Sequence, residues 1–523
     1  MSKRLNLPSA LGIFLIGIFS ANISQAQVNA YWDVNGVTAG QGGSGTFSAS
    51  TTNWTTNSVN ATANTGGPTG GGLFAVGNGA ANSTTTYTTN GATWTNNSGA
   101  YAFNFGGTAG TVTWGGSYQA VGVNLLSSGY IWNIDGSGAN NRGITTTNGV
   151  NLNGNALTLA NGNRGLNSFT FSGPTTATAV GMTGTSGSTL TLRNLTADSS
   201  TNSFGVYFSG GTISSNVAIN VDIGAGSKIS FGSQSSGGMT NYAAIALNTN
   251  ASGVALNIAN TSSQTVAMNG VISGGSGLVL DNTGTGKIAL NAANTYAGGT
   301  RLNNTGNGAI ITFSNAAAFG TGTITSAGAV TNYVRAEVTG LDVANNWQID
   351  SGSIVRLNAA SGSVTASGVI AGAGSMMFSN SGINYYLTGT NSSFGGGVAV
   401  GNGTLYFNKL GSANQNSSLG TNGTITVGGP SATTTGGLRW IGTTDETSDK
   451  TIVLAGTTGG LTLLANGATN ASLTISGNIN STGAGSKTLT FAGYNTNTLT
   501  LNGVINEMAA LTALSSAPAV LEP

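Results

Sequence analysis

The stretch Gly284–Ile324, GTGKIALNAANTYAGGTRLNNTGNGAIITFSNAAAFGTGTI, decides the fold. Ile288 and Leu290 alternate with polar neighbours, and the run stops at Gly/Asn-rich residues. The same short alternation surrounds this stretch on both sides. Upstream it occurs at Leu157 and Leu159, at Leu190 and Leu192, and at Val254, Leu256 and Ile258. Downstream it occurs at Ile425 and Val427, Leu473 and Ile475, Leu489 and Phe491, and Leu499 and Leu501. Period-two alternation of apolar residues with Thr, punctuated by Gly and Asn, predicts short strands joined by tight turns. Helical periodicity is absent before the last 20 residues. The chain reads as all-β.

A longer period narrows the architecture. GVISGGSG begins at Gly270 and GVIAGAGS at Gly368. NTYAGGT (294–300) is answered by NSSFGGGV (391–398), with Tyr296 and Phe394 again 98 positions apart. AAAFGTGTIT (316–325) is answered by NSSLGTNGTITV (416–427), and a looser third start lies at 476–491. Units of short strands cannot bury an apolar face alone, so they stack on their neighbours. A right-handed parallel β-helix follows, with coils ~4.8 Å apart and Gly and Asn at the corners. At roughly 20–25 residues per coil, about 20 coils would form a rod near 100 Å long. A propeller or β-sandwich is the architectural alternative.

Composition excludes much of chemistry. The 523 residues hold 86 Gly, no Cys and no His, with 14 Lys+Arg and 13 Asp+Glu. There can be no His or thiolate zinc site, no Ser-His-Asp or Cys-His nucleophile and no disulfide. So few cations argue against nucleic acid, which requires clustered Lys/Arg. A mean hydropathy of +0.10 with 39% hydrophobic residues, patterned as above, separates the chain from charged disordered sequences.

The N-terminus carries its own signal. Lys3 and Arg4 precede the apolar run Leu11–Phe19, which Ser24-Gln25-Ala26 follows. This is the pattern of a Sec signal peptide cut after Ala26, and the run is shorter than the ~20 residues that span a membrane. The mature chain would keep 12 basic and 13 acidic groups, a net charge of −1. It would be secreted, extracellular or associated with an outer membrane or cell surface.

The stretch 284–324 resembles the autotransporter-associated β-strand repeat. Gly284, Gly286, Ile288, Leu290, Asn294, Thr295, Tyr296, Gly298, Thr300, Gly320 and Gly322 match its pattern, and Phe319 stands where Leu is usual. The copy at 382–427 is weaker, with Phe394 in place of Tyr. Segments 437–505 and the start around Trp32-Asp33 and Asn53-Trp54 look like companions found in the same large surface proteins. The resemblance covers about half the chain. It implies a secreted or surface-displayed bacterial β-helical passenger of the adhesin or autotransporter type, in which the repeat serves export and stacking rather than catalysis. No C-terminal run of ~10-residue membrane barrel strands is present. The expectation is therefore a fragment or truncated frame, or anchoring through a missing or separate β-barrel. The implied organisation is a signal peptide at 1–26, an N-terminal solenoid with a Trp-rich cap at 27–269 and two repeat units at 270–430. Further coils follow at 431–508, and a C-terminal tail, cut short in the truncated-frame alternative, at 509–523.

Candidate chemistry is sparse. Gly40, Gly42 and Gly45 satisfy G-x-G-x-x-G, which glycine abundance produces by chance and no strand-loop-helix unit supports. Gly483-Ala484-Gly485-Ser486-Lys487-Thr488 departs from a phosphate loop at Ser486. Paired carboxylates are what a polysaccharide lyase or glycosidase would need. The dense cluster is Asp445, Glu446 and Asp449 with Lys450; Asp342, Asp350 and Glu337 come next, with Arg335 and Arg356 able to face them from adjacent coils. Solvated turns are the simpler reading of both. Trp32, Trp54, Trp94, Trp114 and Trp132 crowd the first quarter, as core and end cap or as sugar-stacking faces. The Thr/Ser/Asn positions should form coil-to-coil ladders, a surface that favours many weak contacts and carries a self-association hazard.

These observations converge on an exported, non-enzymatic β-helical protein with a structural or adhesive role. They call for no cofactor, no metal and no nucleic acid. Partners would be surface glycans, matrix, or a host or neighbouring cell surface. A β-helical polysaccharide lyase or glycosidase and a glycan-binding surface module are the alternatives.

Overall fold

The computed structural model describes residues 28–35, 41–58 (except 49), 85–89, 92–96, 101–506 and 511–516, apart from 135–140, 162–165, 173–180, 195–202, 225–226, 235–236, 249–255, 430–432, 469, 483–484 and 494–495. The segment 1–26 and the cleavage position after Ala26, Gly40 of the glycine motif and residues 483–484 of the loop-like segment lie outside the described residues.

Every element among the described residues is a β-strand. A representative coil runs Thr265–Met268 on a first face, Ile272–Gly274 on a second and Leu278–Asn282 on a third. It returns to the first face at Lys287–Leu290. Each strand pairs parallel with its equivalent one coil on: Val266 with Ile288, Ile288 with Ile311, Ile311 with Val334 and Val334 with Leu357. That column of β-branched and Leu side chains is wholly buried. Burial is worth roughly 1.5–3 kcal/mol per side chain. The alternation visible in sequence thus points one set of residues into a continuous core and the other to solvent. This is a parallel β-solenoid.

The first-face sheet has 19 strands. Eighteen of them run parallel; the odd one is Trp54–Thr55, antiparallel to Val28–Trp32 through Tyr31↔Thr55 and Trp32↔Trp54. The other edge of Val28–Trp32 pairs parallel with Tyr101–Phe105. Seventeen inter-coil steps make the stack about 80 Å long. This is shorter than expected, because the coils are longer. In-register partners are 27–32 residues apart from Val123 to Val266, 21–23 from Val266 to Val398 and 26–27 from there to Ile505. Within the last 20 residues, where helical periodicity first appears in the sequence, Leu511–Ser516 is a strand paired with Lys487–Gly493.

The other two faces are interrupted. The second carries an eight-stranded sheet ending at Ile272–Gly274 and another beginning at Leu341–Val343; strandless segments 291–299 and 314–323 lie between them. The third carries an 11-stranded sheet ending at Ile370–Gly372 and a three-stranded one beginning at Glu446–Ser448, separated by 389–397 and by a long loop, 408–423, that has no named strand.

Buried amides hold the corners. Asn260, Asn282 and Asn304 stack in register and each turns its Nδ2 to corner carbonyls. Asn260 donates to Gln264 O at 2.9 Å and Lys287 O at 3.1 Å, Asn282 to Gly286 O at 3.0 Å, and Asn304 to Ala309 O at 2.7 Å. Elsewhere, Asn124 donates to Asn104 and Asn104 to Asn29, and Ser314 and Asn291 form a similar chain to Asn269. These are the coil-to-coil ladders expected from composition.

Candidate functional site

The repeat residues build a corner clamp. Asn294 Oδ1 accepts Ile272 N–H at 2.8 Å, and its Nδ2 donates to Ala318 O at 2.6 Å, so one buried side chain ties three successive coils. Thr295 N donates back to Ile272 O at 2.9 Å. Tyr296 is fully buried; its hydroxyl lies 2.6 Å from Thr300 Oγ1, which itself donates to Phe319 O at 3.0 Å. The Tyr296 hydroxyl is therefore the donor to Thr300, and burial raises its pKa well above the ordinary phenol value. Gly320 has φ +66, and a Cβ there would lie 2.4 Å from Tyr296 O. At Gly284, Gly286, Gly298 and Gly322 a Cβ would collide with the backbone of the neighbouring coil.

The second copy reproduces these bonds. Ser392 Oγ accepts Ile370 N–H at 3.0 Å, as Asn294 does from Ile272. Ser393 N donates to Ile370 O, Ser392 N to Ser417 O and Thr421 N to Phe394 O, matching Thr295 to Ile272, Asn294 to Ala317 and Thr321 to Tyr296. Gly420, at φ +73, would collide with Phe394 O as Gly320 does with Tyr296 O. The two clamps nevertheless stand on different faces. Tyr296 follows the first-face strand Lys287–Leu290 and occupies the second face, whereas Phe394 follows the second-face strand Asn384–Leu387 and occupies the third. The sequence repeat advances four coils and one face.

The acidic cluster is engaged by the loop 408–423. Glu446 accepts Gly411 N–H at 2.6 Å with one oxygen and Trp440 Nε1–H at 2.9 Å with the other. Asp449 accepts Ala413 N–H at 2.7 Å, and Asp445 accepts Ser472 N–H at 2.8 Å from the next coil. Lys450 is buried, and its Nζ donates to Gly420 O and Asn422 O. Burial lowers its pKa to about 8 against the opposing pull of Asp449. Glu446, Asp449 and Lys450 together fasten a long loop to the rod, while Asp445 ties its own coil to the next. Among the described residues no group of three or more Asp/Glu is placed to hold a metal ion.

The second acidic group is not assembled. Arg335 pairs at 2.7 Å with Glu337, just past the end of its own strand, and Arg356 lies over the Tyr333 ring, 4.6 Å from its centroid. Asp342, on the second face, accepts from Ser367 Oγ at 2.8 Å and Ser367 N at 3.2 Å; Asp350 accepts from Gln348 Nε2. The arginines expected to face Asp342 and Asp350 have other partners, because the coil spacing here sends them to the first face.

Trp32, Trp54, Trp114 and Trp132 are fully buried. They form one aromatic cluster with Phe47, Phe103 and Phe105: Trp32 and Trp54 meet edge-on at 5.2 Å, and Trp114 and Trp132 at 4.9 Å. These four are core and cap, with no face left for a sugar. The Trp94 side chain lies outside the described residues. Lys487 aims its Nζ at Thr457 O and Gly485 O, an arrangement that uses the amine to bind carbonyls rather than phosphate.

Sequence reading missed two features. Tyr386 stacks on Tyr406 at 4.4 Å, and Arg439 caps that pair with a hydrogen bond of 3.1 Å to the Tyr406 hydroxyl. The three residues are in register on neighbouring coils, and their outward alternation was readable once coil length was known. Beside them, Thr390, Asn408, Lys409, Thr443, Thr444 and Asp445 line a groove of about 390 Å³. Comparison with family models, curated proteins and solved structures returns no match. Among the described residues no helix is long and apolar enough to cross a membrane.

Proposed function

We propose that this chain is an exported, non-enzymatic β-helical passenger with a structural or adhesive role at a bacterial cell surface or in its surroundings. The observation that carries this reading is the use made of the one dense carboxylate cluster. Asp445, Glu446 and Asp449 all accept backbone N–H groups, and both oxygens of Glu446 are occupied. A glycosidase acid or nucleophile must instead reach substrate and change its protonation or bonding during the cycle. The N-terminal basic-then-apolar pattern ending at Ala26 supports export. The stacked corner clamps support a repeat selected for rod building. The resemblance of residues 284–324 to the autotransporter-associated repeat supports reading the chain as a passenger-type surface protein.

Fractionation of the producing cells tests the reading. Immunoblots should find the protein in the medium or the outer membrane and depleted from the cytoplasm. Purified protein should release no reducing ends or unsaturated sugars from a polysaccharide panel. Cytoplasmic retention would overturn export. Glycan cleavage abolished by Asp445→Asn or Glu446→Gln would establish the polysaccharide-active alternative.

A further inference from the structure

We propose that the groove where the third-face sheet is interrupted binds a short saccharide segment, an inference that rests on the adhesive reading above and names its ligand class. The groove exists because of the topology. Asn384–Leu387, Gly403–Phe407 and Gly436–Trp440 are three adjacent second-face strands, aligned through Leu387↔Phe407↔Trp440. After the first two, the third-face strand that would continue the sheet is absent. Thr390, Asn408 with Lys409, and Thr443 to Asp445 therefore line a concavity spanning three coils, about 10 Å along the rod. Its volume of about 390 Å³ is at the small end of ligand sites.

The lining selects the ligand. It presents hydroxyls, an amide, an amine and two carboxylates, with Ile441 as its apolar member. Glu446 has both oxygens engaged by Gly411 N–H and Trp440 Nε1–H; with Asp445 it outweighs Lys409, so a polyanion such as nucleic acid is disfavoured, while one net charge is too little to select a polycation. An extended peptide is disfavoured too, because backbone donors of the lining are taken: Lys409 N by Ser418 Oγ and Ile441 N by Phe407 O. Exposed at the mouth are Thr390, Lys409, Thr443, Thr444 and Asp445, spaced donors and acceptors suited to a polyhydroxylated ring. The wall is also rigid. Glu446, Asp449 and Lys450 fasten the loop 408–423 from beneath, so little ordering is required on binding.

The test uses the purified mature chain and soluble tri- to hexasaccharides of neutral hexoses and of uronic acids. Binding is read by saturation-transfer NMR and calorimetry. At least one oligosaccharide should bind. Lys409→Ala should weaken that binding at least tenfold, Thr444→Trp should abolish it by filling the groove, and Arg301→Ala, on a distant coil, should leave it unchanged. Unchanged far-UV circular dichroism and melting temperature confirm that each variant is folded. No binding to any panel member, or binding indifferent to both groove variants, overturns the site. These outcomes are independent of cell fractionation: a protein that is exported yet binds no sugar loses the site alone. A protein that binds through the groove but stays in the cytoplasm loses the surface reading alone.

Discussion

Tyr296 and Phe394 fill the same place in two copies of one motif, 98 residues apart, yet they face different sides of the rod. The residue four positions on changes with them. Tyr296 donates to Thr300, and at the position equivalent to Thr300 the second copy has Val398, buried beside a ring that has no hydroxyl. A tyrosine at this place needs a polar neighbour, since a buried hydroxyl without a partner is costly.

Accordingly, Tyr296→Phe should cost about 1 kcal/mol of unfolding free energy. Phe394→Tyr should cost about 1–3 kcal/mol, because its new hydroxyl finds Val398. A double-mutant cycle of Tyr296→Phe with Thr300→Val, measured by urea denaturation, should show positive coupling. Strict additivity would show that the hydrogen bond is energetically idle.

Gly320→Ala and Gly420→Ala should each destabilise by more than the ~1 kcal/mol of an ordinary left-handed glycine substitution. Both have positive φ, and in both the new Cβ meets a carbonyl of the preceding coil. A melting temperature unchanged in either variant would mean that the corner rearranges freely.

Lys450 makes an alkaline prediction. Its folded pKa of about 8 lies below the ordinary lysine value of 10.5, so the unfolded chain holds this proton more tightly. The contribution of this group to stability should be flat below pH 8 and rise between pH 8 and 10.5. Denaturation profiles of wild type and Lys450→Met at several pH values should diverge over that window. Parallel profiles would show that the amine is not desolvated. With no histidine in the chain, no side chain with an unperturbed pKa near neutrality adds a transition between pH 5 and 8.

Glu446→Ala should loosen the loop 408–423 by leaving Gly411 N–H and Trp440 Nε1–H without acceptors. Limited proteolysis should then cut within that loop before the rod unfolds, while the wild type resists. Equal resistance would assign the anchoring to Asp449 and Lys450 alone.

Tryptophan emission reports on the cap. Trp32, Trp54, Trp114, Trp132, Trp347 and Trp440 are all fully buried, so emission should be blue-shifted and poorly quenched by acrylamide. Soluble oligosaccharides bound in the groove should leave it nearly unchanged. Strong quenching by sugars would relocate recognition to an aromatic face.

The strands and their stacking were legible because alternation such as Leu157/Leu159 has one physical meaning, a half-buried strand. The repeat at Asn294, Tyr296 and Gly320 was also legible, because a glycine and a buried aromatic at fixed spacing survive any change of face. Coil length was not. It depends on segments between strands such as 408–423, rich in Asn, Ser and Gly, whose composition carries no length signal. Without coil length, the pairing of Tyr386 with Tyr406, or of Arg335 with Glu337 rather than with Asp350, could not be deduced. The groove was hidden for the same reason: it is a missing strand in a stack, and an absence has no motif.

The antiparallel strand Trp54–Thr55 has one more consequence. Every other first-face pairing is parallel, so a stray strand adding to this stack in the same sense as the rest would find the Val28–Trp32 edge already occupied by a neighbour of opposite direction. On this face, templated growth from the first rung would have to displace a tryptophan packed at 5.2 Å against Trp32. The rod thereby acquires a polarity: on this face Tyr31 and Trp32 of its opening rung are already engaged, in the opposite sense, against a like chain.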